Sequence, residues 1–111
     1  MHYIQKTRER INDEITMNNL EINEQLIKES CDCFGSEDTS ITAMEECSEL
    51  IQCISKQLRR IDNRKHMEEE IGDVLIAVSD LIYIYNLDKS KIQWWIDFKQ
   101  KRQIERIDIH G

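Results

Sequence analysis

The sequence has no proline, and its only glycines are Gly35, Gly72 and Gly111. So few turn formers disfavour sheet folds with many turns, and the expected fold class is all-α. Long apolar runs are also missing. The longest, Val74 to Tyr85, is interrupted by Ser79 and Asp80, so no membrane span is expected. The first residues, Met1 to Lys6, lack the apolar segment of a secretory signal, and a cytoplasmic setting is expected. Basic residues number 15 against 22 acidic ones, giving a formal net charge of −7. That balance argues against binding a nucleic-acid backbone. It leaves a free nucleotide open, because a cation and a few basic groups can set the local field. No Gly-rich phosphate loop is present, so cradling of phosphate by backbone amides is not the mode.

Cysteine occurs four times, without a pattern that reads as structural. Cys31-Asp32-Cys33 lacks the second ligand pair of a zinc site. Cys47 and Cys53 are six apart on one expected helix, too far along it to bridge. Reduced thiols are expected.

A chain of 111 residues holds one domain. We read residues 1–19 as a peripheral helix or arm, helical over 3–17, and 20–111 as the domain proper. Further helices are expected over 20–34, 41–60, 67–87 and 89–107, a small bundle of four to five. Asn18 or Asn19 is the expected cap of the helix over 20–34. The polar stretch Ser36 to Ser40 reads as a loop, with Thr39 or Ser40 capping the next helix. Ile41, Met44, Ile51, Ile54 and Leu58 form that helix's expected core stripe. The helix over 67–87 is apolar on nearly every face after Asp73, which in so small a domain requires a partner subunit. A helical dimer core follows: a homodimer or a dimer of dimers. In the last helix Ile92, Trp95, Ile96, Ile104 and Ile107 are expected to pack inward.

The acids carry the chemistry. Glu46 and Glu49 lie three apart on one helix, and Glu70 and Asp73 three apart on the next, so each pair shares a face. If the two helices pack antiparallel, four carboxylates converge, and a hard divalent cation is the usual compensation. Acids also gather at helix starts for the dipole alone, but two pairs at equal spacing on adjacent helices point beyond that. Gly72, between the second pair, costs about 1 kcal/mol relative to alanine inside a helix, and close approach of the facing helix is the expected return. Glu45 points about 100° away from Glu46. Lys56 lies on the acidic face, about 10 Å along the axis from Glu49. Asp80 lies seven residues after Asp73 on nearly the same face. Residues 59–66 form a basic connection that reads first as a solvated loop, and second as a cover over a bound phosphate chain. His66 reads there as a lone histidine near a helix start.

Glu45-Glu46-Cys47-Ser48-Glu49 and Glu70-Ile71-Gly72-Asp73 resemble the EExxE and ExxD motifs of the MazG-like family of all-α nucleoside triphosphate pyrophosphohydrolases. The resemblance spans residues 21–107 and is best over 41–58 and 68–106. It extends to Lys99-Gln100-Lys101-Arg102, where the family has a basic final helix. Asp97 stands where relatives often carry asparagine, and Thr39 and Ser40 where they often carry glutamine. The resemblance implies hydrolysis of a nucleoside triphosphate to monophosphate and pyrophosphate, with Mg²⁺, or Mn²⁺ in its place. Glu46, Glu49, Glu70 and Asp73 would be the metal ligands. Glu45 and Glu49 would serve catalysis, and Lys56, Asp80, Lys99 and Arg102 would bind substrate.

Two rivals compete with this reading. A di-iron carboxylate bundle wants Glu-x-x-His pairs, which neither acidic pair supplies. A catalytically silent helical dimer acting as a nucleotide- or protein-binding module would keep the scaffold without turnover.

Overall fold

The computed structural model describes residues 14–17 and 19–111. Its described part is four helices preceded by one short ribbon. Strands β1 (Glu14–Met17) and β2 (Leu20–Asn23) pair antiparallel, with Ile15 opposite Ile22 and Met17 opposite Leu20. Then come α1 (Glu24–Phe34), α2 (Ser36–Leu58), α3 (Arg64–Ile84) and α4 (Lys89–His110). The all-α bundle expected from composition is therefore what forms. No helix among the described residues is long and apolar enough to cross a membrane.

The ribbon corrects two expectations. The helix read over 3–17 lies mostly outside the described residues, and its last four residues are a strand. The helix read over 20–34 begins only at Glu24. Leu20 and Ile22 follow period two, and Asn19 takes a positive φ of 70°, which a short polar side chain tolerates in a hairpin turn. Asn23, rather than Asn18 or Asn19, caps α1: its Oδ1 accepts from the Leu26 N–H at 2.8 Å.

Gly35 both ends α1 and caps α2. Its φ of 86° suits glycine, and its N–H donates to the Cys31 carbonyl at 2.8 Å. The stretch 36–40 is thus the first turn of α2, not a loop. Glu37 and Asp38 there favour the positive end of the helix dipole. Ser40 turns its hydroxyl back to the Ser36 carbonyl at 2.7 Å instead of capping.

Helices α2 and α3 lie antiparallel. Cys53 meets the α3 start through Asn63 and His66, while Ser40 meets Tyr85 at the other end. Small residues line the seam: Ala43, Cys53 and Ala77 are all buried. Helix α1 closes one side of this pair. Tyr83 donates to Asp32 at 2.8 Å, and Lys28 pairs with the same carboxylate. Lys89 pairs with Glu24, tying the start of α4 to the start of α1. Asp88 caps α4 by accepting from the Ser90 N–H at 2.8 Å.

The apolar stripe expected to form the core of α2 faces outward instead. Ile51 is 67% exposed and Leu58 78%, and Ile41, Met44 and Ile54 are exposed as well. The face that turns in carries Thr39, Ala43 and Cys53, because small side chains allow α2 and α3 to approach. Among the described residues the large apolar stripe then stays exposed. Helix α4 buries no residue: Trp95, Ile96, Ile104 and Ile107 are exposed, and only Ile92 of the five expected to pack inward is half-buried. The radius of gyration is 16.6 Å, against about 13 Å for a compact chain of 100 residues. Gly72 is also corrected. A Cβ built on it meets nothing within 4 Å, so close helix approach is not what it supplies.

Candidate metal centre

The α2–α3 seam places both acidic pairs at one level. Carboxylate oxygens of Glu46, Glu49 and Glu70 all lie within 4.8 Å of one another, and so do those of Glu69, Glu70 and Asp73. Glu70 belongs to both groups and is 4% exposed. Its neighbours grade outward: Glu46 and Asp73 are half-buried, Glu49 and Glu69 exposed. The four acids singled out in the sequence are therefore brought together, with Glu69 as a fifth. Sequence reasoning passed over Glu69 because it looked for spacing of three. Its spacing of four from Asp73 was the available signal.

Two oxygens of this cluster, Glu46 Oε2 and Glu70 Oε2, are buried without a hydrogen-bond partner. Burial pushes the Glu46 carboxyl above the usual carboxylate range, and the charges of Asp73 and Glu49 push the same way. Burial also raises Glu70, followed by the charge of Glu49, while His66 pulls it down. Unpaired buried carboxylate oxygens are costly. An oxygen-only donor set with orphaned inward lone pairs fits a hard divalent cation and would relieve that cost.

His66 is not the isolated residue that the sequence suggested. Its Nε2 lies 3.1 Å from Glu70 Oε1, one turn further along α3, and its Nδ1 lies 3.5 Å from the Cys53 sulfur on α2. The signal was there in the spacing of four between His66 and Glu70.

The cluster sits between two hollows. At the α2–α3 turn, a depression of about 650 Å³ is lined by Asn63, Arg64, Lys65, His66 and Glu69 among others. Toward the other end, a hollow of about 480 Å³ is lined by Ser30, Phe34, Asp38, Thr39, Thr42 and Asp80 among others. Asp80 is held there by Cys31, whose thiol lies 3.4 Å from Oδ1. Burial raises the Asp80 carboxyl, and the bond to Cys31 partly offsets this.

The remaining residues singled out from sequence stand apart. Glu45 is exposed and belongs to neither acid group. Lys56 is exposed, and among the described residues it pairs with no carboxylate. Helix α4 places its first turns against the face of α3 that carries Leu75, Val78 and Ile82, not against the acid face. Lys99 and Arg102 follow on that helix, and Arg102 lies over the Phe98 ring at 5.9 Å. Within one chain this does not bring them to the acids.

No curated protein and no solved structure matches the chain. A family does: the MazG nucleotide pyrophosphohydrolase domain matches residues 34–94, more than half of the sequence. That span runs from the end of α1 through both acid-bearing helices into α4. With the carboxylate cluster at the centre of the matched region, the chain belongs to the MazG nucleotide pyrophosphohydrolase family.

Proposed function

We propose that the protein hydrolyses nucleoside or deoxynucleoside triphosphates to the monophosphate and pyrophosphate, with Mg²⁺ as the resident cation and Mn²⁺ able to replace it. The observation that carries this reading is the pair of buried, unpartnered oxygens on Glu46 and Glu70 inside a five-carboxylate cluster. Glu46, Glu49, Glu70 and Asp73 would hold the cation. When bound, it supplies positive charge at the α–β phosphoanhydride and makes a nearby water more acidic.

The residues of the chain do the rest. Glu46 and Glu70 are spent as ligands because each holds a buried oxygen without a hydrogen-bond partner. Glu49 is exposed at the solvent edge, so it also has a free oxygen to take the proton of the attacking water. Glu45, next to Glu46 on the outer face, supports from the rim. Arg64 and Lys65, lining the depression beside the cluster, face the phosphate tail, with Lys56 offsetting charge from α2. The nucleoside end takes the opposite hollow, where Asp80 and the hydroxyls of Ser30, Thr39 and Thr42 meet sugar or base. Lys99 and Arg102 serve a phosphate chain from the α4 of a second copy, since their own α4 docks on the wrong face of α3.

Pyrophosphate release from a panel of ribo- and deoxynucleoside triphosphates tests the reading, with Mg²⁺ or with chelator. Release that requires Mg²⁺ and falls about a hundredfold or more in Glu49→Gln is the expected result. If folded protein releases none from any nucleotide yet is stabilised by Mg²⁺ and nucleotide together, the silent binding module replaces the hydrolase.

A further inference from the structure

We propose that His66 is a positioning residue: linked to the Cys53 thiol, it locks the Glu70 carboxylate so that one oxygen is committed to the imidazole and the other to the cation. The proposal rests on the metal-binding part of the reading above and extends it to two residues outside the acidic motifs.

The geometry is a chain of contacts across the seam. Cys53 stands one turn after Glu49 on α2, and His66 one turn before Glu70 on α3. The links are Cys53 Sγ to His66 Nδ1 at 3.5 Å and His66 Nε2 to Glu70 Oε1 at 3.1 Å. Hydrogen-bond bookkeeping fixes its direction. An ionised carboxylate only accepts, so Nε2 carries the hydrogen. In the neutral ring Nδ1 is then an acceptor, and the thiol hydrogen of Cys53 is the donor facing it. Each group has one role.

The surroundings hold the chain in place. Cys53 is 1% exposed, so its sulfur has little freedom. Its carbonyl accepts from Asn63 Nδ2 at 3.1 Å, and the Asn63 N–H donates to Gln57 Oε1 at 3.2 Å. These bonds pin the turn that delivers His66. The His66 side chain is 48% exposed, so filling the core is not its purpose. What it does accomplish is visible on Glu70. Oε1 has a partner, Oε2 has none and is buried, and Glu46 Oε2 is in the same condition. A carboxylate free to rotate would exchange its two oxygens and lose part of its binding energy to ordering. One fixed by a donor behind it does not.

The test is Mn²⁺ binding to the nucleotide-free protein, followed by the electron paramagnetic resonance of free Mn²⁺, alongside pyrophosphate release. His66→Ala is expected to weaken Mn²⁺ binding about 10- to 100-fold. His66→Gln, which keeps an N–H donor, should recover most of it. Cys53→Ser should stay close to wild type, and Cys53→Ala should lose several-fold. Pulsed spectra of bound Mn²⁺ should show no coupling to an imidazole nitrogen, since His66 acts through Glu70. Wild-type affinity in folded His66→Ala overturns the proposal, as does a directly coordinated nitrogen. If His66→Ala does not fold, His66→Gln and the two Cys53 variants decide. Wild-type protein that binds Mn²⁺ but releases no pyrophosphate refutes the hydrolase alone. Wild-type protein that binds no Mn²⁺ refutes both.

Discussion

Cys31 and Asp80 join α1 to α3 through a thiol donor and a carboxylate acceptor. The Cys31 thiol is 3% exposed, and its pKa is pushed from 9.0 to about 11, first by burial and then by the Asp80 carboxylate. The folded state therefore keeps a proton that the unfolded chain gives up. The resulting stabilisation is fully present below pH 9 and is lost as pH rises toward 11. Two units correspond to about 3 kcal/mol at most. Melting temperature should fall more steeply between pH 9 and 11 in wild type than in Cys31→Val. Parallel pH profiles for the two proteins would show that the thiol is not protected. The same pair bears on the site, because Asp80 lines the hollow proposed for the nucleoside.

At the scale of elements, α3 is the helix on which most depends. Its first turn carries His66, its second Glu69 and Glu70, its third Asp73, and its further end carries Asp80 and Tyr83 toward α1. Gly72 is exposed on it with open space around the position of a Cβ. Glycine there weakens the helix, and among the described residues no close neighbour offsets it. Gly72→Ala should therefore stabilise the isolated chain by about 1 kcal/mol, a rise in melting temperature of about 4–8 °C. The measurement is thermal unfolding under conditions in which the protein is monomeric. A loss of stability in that variant would mean that the helix needs glycine for a reason within the chain itself. A gain in the monomer with a loss in the assembled protein would place another subunit against this face.

For the whole molecule, the decisive feature is apolar surface without cover. The α2 stripe of Ile41, Met44, Ile51 and Leu58 faces out, as do Trp94, Trp95, Ile104 and Ile107 on α4. Exposed apolar stripes of this kind mark an interaction site, and an isolated three-helix core this small would be marginal. A second copy as its cover also agrees with the reading of Lys99 and Arg102, which need another chain to serve the acids. Ile51→Glu places a charge in the middle of the α2 stripe. In light scattering after gel filtration it should run at half the wild-type mass or less, with pyrophosphate release reduced at least tenfold at equal chain concentration. Wild-type protein that is a monomer at micromolar concentration and fully active would remove the dimer from the account.

Composition and period were enough for the four helices from Glu24 onward and for their order, though not for the helix read over 3–17, because absent proline, scarce glycine and recurrent apolar spacing act locally. The four acids were legible for the same reason: spacing of three on a helix is a statement about one face. What the sequence could not carry was which face of α2 turns inward. It holds an apolar stripe and a polar, small-residue stripe, and burial alone favours the first. Packing against α3 chose the second, since Ala43, Cys53 and Ala77 permit close approach and Ile51 and Leu58 do not. The strand at Leu20–Asn23 was also out of reach, because a four-residue run is decided by its pairing partner. The same holds for His66. Its spacing from Glu70 was printed in the chain, but the thiol that orients it comes from the other helix. Only the tertiary structure sets Cys53 behind the imidazole, for hydrogen bonds between helices depend on register and distance, which no single helix contains.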